Sequence, residues 1–267
     1  MKSLKIGGII FSALLLTTLG INASDVLNGN SGALLGQIIA TQDRSCPEGM
    51  IEFAAGQTFS CIDVYEASAS QECPEQSPAN QSDTQKNINT VSCMPSSSRN
   101  STPWTNISRE QARTVCTRAG KRLPTAHEWY QIALGTPDTE SSCNVSTEGA
   151  GMAGSYPQCI SAVGVYDTIG SVWEWVSGDV IGGQYNGRAL PVEGYVAQVA
   201  SDGVATVSES VTVDDFSGDY IWTKSDGAYG ILRGGFYGSR EDAGIYSVQA
   251  RTLPTAATKA IGFRCIQ

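Results

Sequence analysis

The sequence predicts an α+β domain of two helices, small twisted sheets and extensive irregular loops, stapled by disulfides. Three observations predict it. Two stretches in the middle of the chain pair a helix-start signal with apolar residues at helical spacing. Beyond residue 140 the chain turns rich in Gly, Ser, Asp and β-branched residues, which reads as short strands between frequent turns. Eight cysteines stand in a chain of 267 residues that opens like an exported protein.

The opening comes first. Lys2 and Lys5 precede an apolar run from Ile6 to Leu19, and Ala23 in "GINAS" supplies a small residue at a cleavage point. This is the layout of a secretory signal peptide over residues 1–23. The run is too short for a membrane-spanning helix, which needs about 20 apolar residues, and no later stretch is apolar enough to span a bilayer. A secreted, periplasmic or cell-surface location is expected. The formal net charge of −9 becomes more negative once the two lysines leave. An acidic chain repels phosphate backbones, so nucleic acid is excluded as a partner class.

In an exported chain the cysteines read as disulfides. Zinc fails on spacing, because no CxxC pair exists, and on ligands, because His127 is the only histidine. Many pairings are open on spacing alone.

Residues 24–43 read as a tether with a short apolar patch, "ALLGQIIA", and the folded domain as residues 44–267. From Cys46 to Glu66 two strand-like runs flank an "AAGQ" turn, and a hairpin there would bring Cys46 and Cys61 together. Residues 67–102 are polar and poor in large apolar groups, so a long loop is expected, closed by Cys73 and Cys93. The first helix starts at "SREQ", where Ser108 and Gln111 fit a capping box; Ala112, Val115, Cys116 and Ala119 then recur at helical spacing. The second starts at "TAHE" with Thr125 and Glu128, carries Trp129, Ile132 and Ala133 on its apolar face, and ends at Gly135. His127 falls near its beginning and is read as a surface or packing residue. Residues 178–230 read as loops with a few strands. Asn80, Asn100, Asn106 and Asn144 stand in N-x-S/T strings, a surface signal where the host glycosylates.

Four strings carry most of the information: "GKRLPTAHEW" at 120–129, "GSVWEWV" at 170–176, "LRGG" at 232–235 and "IGFRC" at 261–265. Trp173 and Trp175 alternate around Glu174, so the indoles face one side of a strand and the carboxylate the other. Gly234, Gly235 and Gly262 suit tight turns or close backbone approach. Arg122, Arg233 and Arg264 suit ties between loops through carboxylates or carbonyls. In this order and spacing the strings resemble the formylglycine-generating enzyme family, the sulfatase-modifying factor domain, over residues 44–267. The resemblance implies a variant of the C-type lectin fold. It also implies a disulfide between the helix cysteine and the closing one, Cys116–Cys265, which leaves Cys143–Cys159.

The founding enzymes of that family oxidise a substrate cysteine with copper held by two cysteines after the "GG" motif. Those positions fall near Ser239 and Gly244 here, and no cysteine stands between Cys159 and Cys265. Copper-dependent cysteine oxidation is therefore not expected, since a hydroxyl does not replace a thiolate toward copper. A related branch holds non-haem iron on histidines, which one histidine does not build. Some members bind calcium near "WEW"; Glu174 is the ligand kept, with Ser171 in place of the usual Asn, so calcium is the one cofactor the resemblance leaves open.

The competing use of the fold is display. Residues 233–251, "RGGFYGSREDAGIYSVQAR", offer aromatic and charged side chains of the types that dominate binding surfaces. Phe236, Tyr237, Ser239, Arg240, Asp242, Tyr246 and Thr252 are the expected ligand-binding residues. The framework of Gly234–Gly235, Ala250–Arg251, Pro254 and Ile261 to Arg264 resembles the variable proteins of diversity-generating retroelements, with Glu241, Gln249 and Lys259 as fixed positions. The expected function is recognition of a protein or carbohydrate ligand through C-terminal loops; the alternative is an enzyme of the same superfamily with a non-copper reaction.

Overall fold

A computed structural model describes residues 46–53 and 58–267. The expected signal peptide and tether, and the expected "AAGQ" turn, lie outside the described residues. Strand β1 (Met50–Glu52) pairs antiparallel with β2 (Cys61–Asp63), as the hairpin reading requires, and Cys46–Cys61 ties the segment before β1 to the start of β2. The other bridges are Cys73–Cys93, Cys116–Cys265 and Cys143–Cys159, which together use all eight cysteines.

The segment 67–102 is not the long loop its composition suggests. Strands β3 (Ser68–Ala69) and β4 (Pro95–Ser96) pair, and helix α1 (Gln81–Asn89) lies between them in sequence, so the described residues hold three α-helices rather than two. The helix is held by polar bonds. Asn80 caps it by accepting from the Asp83 N–H at 3.1 Å. Buried Thr84 donates to Thr105 O and accepts from Trp104 Nε1, while buried Asn87 exchanges two hydrogen bonds with the Glu75 backbone. An apolar period has nothing to register in such a helix.

Helices α2 (Arg109–Arg118) and α3 (Ala126–Ala133) both begin with the capping boxes read from the sequence, Ser108 with Gln111 and Thr125 with Glu128. Gly135 follows α3 at φ +82°, the left-handed conformation that ends the helix.

The sheet is larger than the small sheets expected. Its path runs β7 (Arg188–Ala189), β6 (Gln184–Tyr185), β5 (Trp173–Ile181), β11 (Ala228–Arg233), β12 (Val248–Thr252), β10 (Tyr220–Thr223), β8 (Gly194–Val199), β9 (Ala205–Glu209), with β13 (Ile261–Gly262) parallel to the start of β5. Strand β5 sets the layering. Trp173 and Trp175 join Leu232 and α2 residues Ala112, Val115 and Cys116 in one core, while Val176 and Val180 join Ile231, Ile221, Val248 and α3 residues Ala126, Trp129 and Ala133 in another. One helix therefore covers each face. The last residues return to α2 and β2: Cys265 bonds α2, and the Ser60 and Cys61 N–H groups donate to Gln267 O.

Candidate functional site

The site grows from the turn after β11. Gly234 and Gly235 adopt φ of +90° and +88°, and a β-carbon at Gly234 would strike Thr168 O while one at Gly235 would lie 2.5 Å from Ala243 Cβ. Only glycine fits both demands. Arg233 before them is fully buried and donates to Asp202 O, Gly203 O and Ile245 O, the last at 2.6 Å. Its guanidinium also lies 5.0 Å from the Trp129 ring. Burial brings its pKa down to about 10, so it remains a cation at neutral pH. One arginine thus anchors both ends of the loop that follows.

That loop gathers five of the seven residues expected to bind. Phe236 is half-buried, with its N–H donating to Ser239 Oγ at 3.0 Å. Tyr237 is buried, its ring 5.0 Å from Phe236 and its backbone pinned between Ser171 O and the Thr147 N–H. Ser239 is buried. Arg240 is exposed at φ +53° and Asp242 half-exposed, both in a short 3-10 turn. Burial, then the Glu241 charge, push the Asp242 carboxyl up. Tyr246 goes elsewhere: its ring packs at 5.7 Å from Tyr130 of α3 and 5.1 Å from Phe216, on the α3 side of the sheet. Thr252, half-buried, stands at the end of β12 opposite Gly230. The structure therefore divides the set between the two faces of the sheet.

On the α2 face, beyond the reach of that helix, β8 and β10 carry residues that the motif reading passed over. Tyr195 and Tyr220 pair across the strands with rings 5.1 Å apart, Trp222 lies 4.7 Å from Tyr220, and buried Trp173 backs Trp222 at 5.5 Å. All three outer rings are half-exposed, while Ile221 and Val196 between them point into the core. The alternation in "DYIWT" is the same period-two signal that placed Trp173 and Trp175, and it could have found this strip. Glu193, Asp242 and Tyr195 surround the Tyr220 hydroxyl and, after burial, raise its pKa against the opposing charge of Arg251. Arg251 in turn pairs with Glu193. Glu193 also lines a cleft of about 640 Å³ between the β7–β8 and β10–β11 connections, together with Leu190, Thr223, Lys224 and Asp226. Asp242 thus joins the loop to the aromatic strip, and Glu193 joins the strip to the cleft.

Glu174, the calcium candidate, is corrected by its surroundings. Both carboxylate oxygens accept from Arg264, and Oε2 also accepts from Trp129 Nε1 at 2.6 Å. A guanidinium fills the place a cation would take. Ser171 donates to Glu66, not to a shared centre. Burial, followed by the charges of Asp167 and Glu174, raises the Glu66 carboxyl well above the ordinary range. These residues do not fit a calcium site, and among the described residues no group of three or more His, Cys, Asp or Glu is arranged to hold a metal.

Comparison with known proteins agrees with this architecture. The Major Tropism Determinant M1 variant superposes with a TM-score of 0.51 at 18% identity, over 83% of this chain and 52% of that one. Treponema denticola variable protein 1 gives 0.40 at 12% identity over 83% and 99%, and PvdO from Pseudomonas aeruginosa 0.39 at 14% over 81% and 89%. The chain spans about half the length of the Major Tropism Determinant structures. No curated protein matches it in sequence. The sequence profile described as the sulfatase-modifying factor enzyme 1-like domain matches residues 61–267, which include all four strings and the whole sheet, and the chain belongs to that family.

Proposed function

We propose that this chain is an exported recognition domain that binds a protein or carbohydrate ligand on the surface running from the 236–242 loop, across Tyr220, Trp222 and Tyr195, to the cleft beside Glu193. The carrying observation is that unbroken run of half-exposed aromatic rings bordered by Asp242, Arg251 and Glu193. Aromatic rings give large contacts at low ordering cost, and flanking charges supply orientation. The name of one structural neighbour, a tropism determinant, accords with recognition. Four disulfides on a described region with no helix long and apolar enough to cross a membrane accord with an oxidising, extracytoplasmic setting.

The positions matching the family's copper ligands support binding over oxidation. Ser239 accepts the Phe236 N–H, Gly244 has no side chain, and every cysteine is in a disulfide. These residues do not fit a copper–thiolate site. Stoichiometric, tight copper or iron uptake by the pure protein would favour the enzyme reading instead.

The test is a screen of the purified protein against a glycan array and a panel of purified cell-envelope proteins. Any ligand found should lose about tenfold or more in affinity with Trp222→Ala or Tyr220→Ala, the scale of a hot-spot truncation, with circular dichroism unchanged. Undiminished affinity in both variants would remove this surface from the function. A reverse transcriptase gene and a near-copy of the 3′ end beside this gene would further mark the surface as diversified.

A further inference from the structure

Gly244, the position matching the second copper ligand, faces two carboxyl groups. Asp219 is fully buried just before β10, and its Oδ2 accepts the Tyr246 N–H at 2.7 Å. Its Oδ1 is buried without a hydrogen-bond donor. Asp138, half-buried in the loop after α3 that Cys143–Cys159 holds, reaches the same point. A β-carbon on Gly244 would overlap Asp219 Oδ1 and lie 2.5 Å from Asp138 Oδ2, so both oxygens converge on the one residue that leaves them room.

Two ionised carboxylates in contact offer only acceptors and repel. A single proton between them converts the contact into an O–H···O bond and gives Oδ1 its missing partner. The surrounding charges do not supply an alternative. Arg233 of β11 is the cation facing Asp219, but its two terminal nitrogens donate to three carbonyls, and its Nε, buried without a partner, makes no bond to Asp219 Oδ1. Asp202 lies behind Arg233 and pairs with Arg188. Tyr246 faces Asp219, with Tyr130 of α3 packed on its ring, and the Glu241 backbone carbonyl lies near Gly218, next to Asp219.

We propose that Asp138 and Asp219 share one proton in the folded protein, and that this proton latches the 239–247 loop, with the start of β10, onto the body of the domain. The proposal regulates the recognition surface described above and rests on that reading for its consequence, though not for the latch itself. The direction of titration agrees. Burial raises Asp138 to about 6, and burial followed by the Asp138 charge raises Asp219 well above the ordinary range. Both folded values lie above the unfolded ones, so the stabilisation is complete below about pH 4 and is lost as pH rises through 6 and beyond.

The test is hydrogen exchange at the Tyr246 amide and through residues 239–247, at pH 5 and pH 8, corrected for intrinsic rates. In the wild type the opening constant should rise about tenfold or more, the factor that accompanies one pKa unit. Asp219→Asn keeps an oxygen for the Tyr246 N–H and offers an amide N–H to Asp138, so its opening constant should be nearly equal at the two pH values. Asp138→Asn makes the same replacement from the half-buried side and serves if Asp219→Asn does not fold. Equal wild-type opening at both pH values, or a wild-type pH response in the asparagine variants, would overturn the latch. No ligand enters this readout, so a failed binding screen sinks the recognition surface and leaves the latch standing.

Discussion

Arg264 concentrates more of the fold than any other side chain. Fully buried, it donates to both oxygens of Glu174, to Asp63 O at 3.2 Å and to Tyr166 O at 2.9 Å, so it ties β13, β5, β2 and the loop before β5. Breaking one member of a buried ion pair leaves the other uncompensated, at a cost of about 3–5 kcal/mol. Glu174→Gln should approach that loss in urea unfolding, and Arg264→Lys should also be costly because an ammonium lacks the planar fork. A loss under about 1 kcal/mol for Glu174→Gln, the scale of an exposed pair, would show that Glu66 and Asp167 take over the guanidinium. The three arginines were legible in the strings around them, since Arg122 bonds Glu128 of α3, Arg233 bonds loop carbonyls and Arg264 bonds a carboxylate. Their partners were not legible, because those partners are backbone oxygens and distant carboxylates that no local spacing marks.

Among the elements, the bridges differ in what they constrain. Cys116–Cys265 spans 149 residues and Cys73–Cys93 spans 20. On the chain-entropy account, opening the longer loop should cost about 2 kcal/mol more. The paired variants Cys116→Ala/Cys265→Ala and Cys73→Ala/Cys93→Ala, compared by urea unfolding, test this. Equal losses would mean that polar docking of α1 to α2, through Gln81 and Gln85 with Gln111, outweighs loop length. Helices α2 and α3 could be read in the sequence because capping boxes and an apolar stripe coincide there. Helix α1 could not, since Thr84 and Asn87 do the docking. The nine-stranded sheet was under-read for a related reason: β6, β7 and β13 have two residues each, too few to show a period, and glycines at 182, 183 and 187 interrupt the chain around the first two. The Tyr195–Tyr220–Trp222 strip depends on the pairing of β8 with β10, which only the fold supplies.

At the scale of the whole molecule, buried carboxyl groups set the response to pH. Burial raises Asp63 despite Lys121, raises Glu66 and Asp219 further, and brings Asp138 and Asp167 each to about 6. All five are raised in the folded state, so each stabilises most in acid and loses that contribution as pH climbs through its folded value. Glu128 runs the other way. Burial opposes its charge, but bonds from Arg122, Thr125 and Thr58 outweigh burial and hold it down to about 2. Its contribution is present above the ordinary glutamate range and fades as pH falls toward 2. Above about pH 4 the five raised groups lose stabilisation while Glu128 has little left to gain, so thermal and urea midpoints should peak below that, be falling already at pH 5, and be lower still at pH 8. The net charge of −9 gives a competing explanation for that fall, through repulsion among surface carboxylates. Salt separates the two. At about 0.5 M NaCl surface repulsion is screened within a few ångströms while buried groups are not, so most of the decline should survive. Asp167→Asn and Asp219→Asn should each flatten part of what remains. Midpoints that rise from pH 5 to pH 8, or a decline abolished by salt, would show that the buried carboxyls do not govern stability.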